Sequence, residues 1–233
     1  MSDLARQVRL EIWSRKNAIL LLCALAGALW LGKPWPIGVV ALGSFGALLV
    51  DARGAWTPTG RFGAANLVTA LRLLLVSLLS VALHRAAGGL LAALVLATLV
   101  LDGLDGWLAR RAGLASPFGA HFDMEVDALL VLSVGAELFF SRRFGWWILS
   151  GGVLRYFYVL CVALWPPRGG SMPRTLLGRS AFLLVVTGQA LGLLWTGSAA
   201  LVAASLGTFA VSLSFARAFF YGYARSAKPM PDS

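Results

Sequence analysis

Charge is what this sequence has least of. Of its 233 residues only 13% are Asp, Glu, Lys or Arg, and the acidic ones number ten. A soluble domain carries about 25% charged residues, so an ordinary soluble domain is excluded. Cysteine is almost absent too. Cys23 and Cys161 lie far apart inside apolar runs; they read as small buried hydrophobes and carry no redox information. The two histidines, His84 and His121, make no metal-ligand spacing with those cysteines. Strict polar–apolar alternation is missing, which excludes a membrane β-barrel. The net charge of +10 does not read as nucleic-acid binding. The basic residues are scattered between apolar segments, as the positive-inside rule and attraction to anionic lipid require.

What is there is apolar: 59% of residues are hydrophobic and the mean hydropathy is +0.80. Apolar stretches near the length that spans a bilayer core of about 30 Å recur along the chain. The fold class is therefore all-α, a polytopic membrane helix bundle. Residues 1–16 read as a basic amphipathic helix lying on the headgroups, with Leu4, Val8 and Ile12 on one side. Residues 17–52 form an apolar hairpin broken at Lys33-Pro34-Trp35-Pro36, either spanning twice or re-entrant. Residues 53–65 form a polar linker. Six longer apolar segments fill 66–225, and a short cytoplasmic tail occupies 226–233. With the N-terminus inside, 13 Lys and Arg fall on the cytoplasmic side and 4 on the other, which fixes the expected orientation.

Five of the ten acids fall within residues 102–127. Asp102 and Asp105 are three apart; Asp123 and Asp127 are four apart. Each pair shares a helix face, and Gly113, Ser116 and Pro117 suit a tight return between the two helices. Four carboxylates converge, and they cannot all ionise without cations. Oxygen-only ligands suit two Mg²⁺ or Mn²⁺ ions rather than zinc, and two such ions hold a diphosphate. Small residues Gly106, Ala109 and Gly119 lie on the same faces and permit close approach, while Arg110 adds a permanent cation at the same depth. Glu125 points away from the Asp123–Asp127 face and reads as solvated or paired. His121, also off that face, reads as a bystander.

The spacing Asp102-x-x-Asp105-Gly106-x-x-Ala109-Arg110, then Gly119-x-x-x-Asp123-x-x-x-Asp127, resembles the signature of the CDP-alcohol phosphotransferases. Asn66-Leu67-Val68-Thr69-Ala70-Leu71-Arg72 looks like the Asn-x-x-Thr-x-x-Arg that opens the first core helix of that family, and the six-segment count agrees. The first 65 residues lie outside the resemblance.

The resemblance implies a six-helix catalytic core, preceded here by the amphipathic helix and the extra hairpin. It implies transfer of a phosphatidyl group from CDP-diacylglycerol to a small alcohol, with release of CMP, in a bacterial inner membrane with a cytoplasmic site. Asp102, Asp105, Asp123 and Asp127 would hold two divalent metals, with Asp127 as general base. Asn66, Thr69, Gly106, Ala109, Arg110 and Gly119 would form the nucleotide site. A homodimer is implied as well, and Gly188 and Gly192 offer a small-residue pair for helix packing.

An arginine inside a membrane segment needs an anion. Arg155 and Arg217 are therefore expected to bind a phosphorylated acceptor such as glycerol 3-phosphate or an inositol phosphate; for Arg155 the alternative is pairing with Glu137 or a backbone carbonyl. Members of the family that use glycerol phosphate often carry Lys directly after the last aspartate, where this chain has Ala128. Two other classes remain distinct: an intramembrane prenyltransferase, whose acidic motifs sit on well-separated helices, and a cation channel or transporter, which needs acids at more than one membrane depth.

Overall fold

The computed structural model describes residues 3–84, 86–112, 116–166 and 176–224. Eight α-helices account for nearly all of them: α1 (Asp3–Leu31), α2 (Trp35–Asp51), α3 (Ala64–Val81), α4 (Gly88–Ala112), α5 (Pro117–Phe140), α6 (Ser150–Leu164), α7 (Leu176–Leu194) and α8 (Ser198–Ala224). A short 3₁₀ turn, Trp146–Leu149, leads into α6. No strand occurs among the described residues.

The breaks follow local chemistry. Gly32, at φ +67°, ends α1 in the left-handed region that glycine tolerates. Pro36 falls in the first turn of α2, where its missing N–H costs nothing. Ser116 caps α5: its Oγ accepts from the Gly119 N–H at 3.0 Å, and Pro117 follows in the first turn.

Helix α5 is the axis of the bundle. From Ala128 to Leu138 every residue is buried, and α1, α2, α3, α4, α6 and α7 all pack against it. The outside is apolar. Leu67, Leu71, Leu74 and Leu78 form an exposed stripe on α3, the inverse of a soluble helix and the form lipid requires. Gln7–Leu31, Ala64–Val81, Trp146–Leu164 and Ser198–Tyr221 are long and apolar enough to cross a membrane, and three shorter apolar helices accompany them. The protein is a polytopic helical membrane protein.

Two features refine the sequence reading. No helix break separates residues 1–16 from the first apolar run. With neither Gly nor Pro between them, α1 continues through Lys16 and Asn17. Its polar residues Ser14 and Asn17 are buried instead of facing headgroups. The glycine pair on α7 is also consumed within the chain. A Cβ on Gly188 would sit 2.5 Å from the Ala203 carbonyl oxygen of α8, and one on Gly192 would sit 2.7 Å from the Phe144 ring.

Candidate active site

Three helices bring charged side chains to one point near the α4–α5 return. Arg72 comes from α3, Asp102 from α4, and Asp123 and Asp127 from successive turns of α5. Arg72 is 1% exposed, while the three carboxylates are each about a quarter exposed at 25%, 30% and 23%. One guanidinium nitrogen of Arg72 lies 2.6 Å from Asp123 Oδ1 and 3.1 Å from Asp102 Oδ1. The other donates to Asp127 Oδ1. A planar fork with several fixed N–H groups can hold three carboxylates at once; a lysine ammonium cannot match that geometry. The arginine therefore sets the separation of the acids, which stay partly exposed.

One carboxylate oxygen from each of Asp102, Asp123 and Asp127 lies within 4.8 Å of the others. Three carboxylates against one guanidinium leave an excess of negative charge. The donor set is hard oxygen throughout, with no thiolate or imidazole in the cluster, so it fits a hard divalent cation rather than a softer ion. Asp105 lies one turn beyond Asp102 on α4. Its side chain, with those of Ala109 and Arg110, falls outside the described residues.

A second group of residues lies nearer the ends of α3 and α5. Asn66 is buried, and its amide donates to the Phe62 carbonyl at 2.6 Å and the Trp56 carbonyl at 3.4 Å. Ser116 Oγ donates to the same Trp56 carbonyl at 2.6 Å. Trp56, in the segment read only as a linker, thus joins the start of α3 to the start of α5. A Cβ on Gly119 would lie 2.9 Å from Asn66 Oδ1, so a larger residue there must displace that amide. Thr69 is buried and donates back to the Ala65 carbonyl at 3.2 Å. Gly106, half-buried, lies one turn past Asp102.

The structure thus brings together Asp102, Asp123 and Asp127, with Gly119 one turn before Asp123 and Asn66 beside Gly119. It does not bring Arg155 or Arg217 to the aspartates. Arg155, on α6, donates to Glu125 Oε1 at 2.7 Å on the opposite side of α5, and Arg217 is exposed on α8. Glu137, the other acid in the core, pairs with His84 Nδ1 at 2.8 Å. His121 is half-buried beside the Trp13 ring. The residue that sequence reasoning left without a role is Arg72. Its signal was present: Arg72 closes the Asn66-x-x-Thr69-x-x-Arg72 motif inside an apolar helix.

Comparison with known proteins bears on the same stretch of chain. A probable phosphatidylglycerophosphate synthase of Mycobacterium tuberculosis (strain CDC 1551 / Oshkosh) is 32% identical over 121 residues, which are 49% of this chain and 58% of the relative. The protein of the same name from strain ATCC 25618 / H37Rv matches equally. The chain thus spans little more than half the length of the relatives it matches. No solved structure matches it. The model of the CDP-alcohol phosphatidyltransferase family matches residues 62–216, which contain every aspartate of the cluster and Arg72. With two thirds of its length inside that match, the chain belongs to the CDP-alcohol phosphatidyltransferase family.

Proposed function

We propose that the protein transfers the phosphatidyl group of CDP-diacylglycerol to a small phosphorylated alcohol and releases CMP, as a step of phospholipid synthesis. The observation that carries this reading is the convergence of three carboxylates and Arg72 at one end of α4 and α5, inside the family-matched segment. Glycerol 3-phosphate is the first acceptor to test, because the matched relatives are named as probable phosphatidylglycerophosphate synthases. An inositol phosphate is the second, given Ala128 after the last aspartate.

Asp102, Asp105, Asp123 and Asp127 would hold two divalent ions, Mg²⁺ or Mn²⁺. Bound there, the ions would neutralise the diphosphate and the charge that develops on departing CMP. Arg72 keeps the Asp123 and Asp127 carboxylates aimed at the same space. Asp127 acts as general base. The acceptor oxygen attacks the phosphorus that carries the diacylglycerol, its proton passes to Asp127, and the bond from that phosphorus to the CMP oxygen breaks. Asn66, Thr69, Gly106, Ala109, Arg110 and Gly119 form the nucleotide end of the site. Arg155, paired with Glu125 on the far side of α5, and Arg217, exposed on α8, take no part in this reading of the acceptor site.

In this reading the membrane is a bacterial inner membrane, and the site and the N-terminus face the cytoplasm, as the Lys and Arg distribution favours. A homodimer is part of this reading, through a surface other than Gly188 and Gly192.

The test is CMP release from CDP-diacylglycerol by the purified protein with Mg²⁺ or Mn²⁺, each acceptor added separately: glycerol 3-phosphate, inositol 1-phosphate, inositol, serine and choline. Chelator and Asp127→Asn are the controls. Release that needs metal, Asp127 and one acceptor supports the assignment and names the product. Absence of release from folded, metal-binding protein removes this donor; CDP-amino alcohols and then a prenyl diphosphate would be tested next.

A further inference from the structure

The segment before the family match contributes buried polar groups to the helix that carries two of the aspartates. Glu125 lies on α5 between Asp123 and Asp127. At 100° per residue it points to the opposite side of the helix from that pair. Its side chain is 1% exposed, so its carboxylate needs partners that are not water. Arg155 Nη2 donates to Oε1 at 2.7 Å. A carboxylate has about four acceptor positions, and two others are filled from α1: Ser14 Oγ donates to Oε1 at 2.7 Å and the Asn17 amide to Oε2 at 3.4 Å. The amide is itself oriented from α2, where Ser44 Oγ donates to Asn17 Oδ1 at 2.8 Å. Trp13 Nε1 donates to the Ser44 carbonyl at 3.0 Å and closes the set. Ser14 and Asn17 are 4% and 0% exposed.

Helix α5 is thereby held from both sides, by Arg72 on its aspartates and by Ser14, Asn17 and Arg155 on Glu125. The two sets of contacts fix its rotation about its own axis. A carboxylate lies roughly 5–6 Å from that axis, so a turn of about 10° displaces it by about 1 Å. Misplacement on that scale costs a reaction about a hundredfold. Groups that orient metal ligands at one remove cost about 10–100-fold in affinity or activity when deleted.

We infer that the α1–α2 hairpin is a positioning element for the reaction site, and that Ser14 and Asn17 are positioning residues acting through Glu125 on the aim of Asp123 and Asp127. The inference rests on the proposed role of those aspartates as metal ligands.

The experiment compares full-length wild type with Ser14→Ala, Ser14→Ala/Asn17→Ala and Ser14→Thr. It measures Mn²⁺ affinity by electron paramagnetic resonance, kcat and KM for CMP release, and the melting temperature in detergent. The double variant is expected to lose about tenfold or more in Mn²⁺ affinity and in kcat, with KM for the CDP-lipid within about twofold. Ser14→Ala should lose less, and Ser14→Thr, which keeps the hydroxyl, should stay near wild type. If the double variant does not fold, Ser14→Ala against Ser14→Thr decides. A lower melting temperature with wild-type Mn²⁺ affinity and kcat would overturn the inference and leave the hairpin a packing element only. Wild type that binds Mn²⁺ but releases no CMP would sink the proposed donor, and the Mn²⁺ series would still decide the positioning role. Wild type that binds no Mn²⁺ would overturn both.

Discussion

Replacing Arg72 by Met keeps the length of the side chain and removes its charge. Two unit charges about 4 Å apart attract by about 4 kcal/mol at an effective dielectric near 20. Arg72 faces three carboxylates, one at 2.6 Å and one at 3.1 Å, but their mutual repulsion and partial exposure cancel part of that sum. Removing one partner of a buried pair typically costs about 3–5 kcal/mol, because the remaining charge is left without compensation. For a chain of this size each kcal/mol lowers the melting temperature by about 2–4 °C. Arg72→Met in chelator should therefore melt roughly 6–20 °C below wild type, read by tryptophan fluorescence in detergent. Saturating Mg²⁺ or Mn²⁺ should recover part of the loss, since a ligand at a hundred times its Kd contributes about 2.7 kcal/mol. The variant should gain more from metal than wild type does, because the ion takes over a charge that Arg72 no longer supplies. A double-mutant cycle with Asp127→Asn should give a coupling of about 1–3 kcal/mol. Asp127→Asn removes a partner of Arg72 in the wild type, but only relieves repulsion in the Met background. A melting temperature for Arg72→Met within 2 °C of wild type in chelator, or an equal effect of Asp127→Asn in both backgrounds, would refute the reasoning.

Asp127→Asn should lower kcat for CMP release by about a hundredfold or more, as expected for loss of a general base; steady-state kinetics on folded protein checks it. Gly119→Ala places a Cβ 2.9 Å from Asn66 Oδ1, so the amide must turn, and KM for the CDP-linked donor should rise more than kcat falls. Gly188→Ala drives a methyl to 2.5 Å from a backbone oxygen of α8. It should cost about 1–3 kcal/mol of stability, seen as a lower melting temperature. Light scattering should find the same oligomeric state, since this glycine packs within one chain.

Much of the site could be read from residue spacing. Asp123 and Asp127 share a face because four residues make about one turn, and Ser116-Pro117 marks the start of α5 because both residues suit a helix N-terminus. These are local properties. What spacing cannot supply is which distant groups meet. Arg72, Arg155 and Arg217 are each an arginine in an apolar run, and the motif that ends at Arg72 does not say which groups it meets. Only tertiary packing gives the first to the aspartates and the second to Glu125, and leaves the third exposed. Glu125 and Glu137 are likewise interchangeable as partners on paper, yet Glu137 meets His84. The Gly188–Gly192 pair has the same pattern whether it packs within a chain or between chains. The continuity of α1 could have been seen, since nothing between Arg15 and Ala18 breaks a helix; the change of composition at Asn17 concealed it.

That change of composition also explains why α1 and α2 stay with the bundle. In a bilayer, apolar faces gain nothing by leaving lipid for protein, because acyl chains are as apolar as leucine. The buried Leu21, Leu25, Ile37 and Phe45 therefore contribute packing but no hydrophobic drive of the kind water supplies. Ser14, Asn17 and Ser44 are different, since in lipid they have no partners beyond their own helices. Docked, they reach one another and Glu125. Side-chain hydrogen bonds between membrane helices contribute about 0.6 kcal/mol each on average and up to about 1.7. Trp13 and Asn17 to Ser44 tie α1 to α2, while the two contacts that reach α5, from Ser14 and Asn17 to Glu125, amount to about 1 kcal/mol on average. That favours the docked hairpin by a factor of several. It also places the specificity of docking on the same polar residues that hold Glu125, so the hairpin cannot leave without releasing the far side of α5.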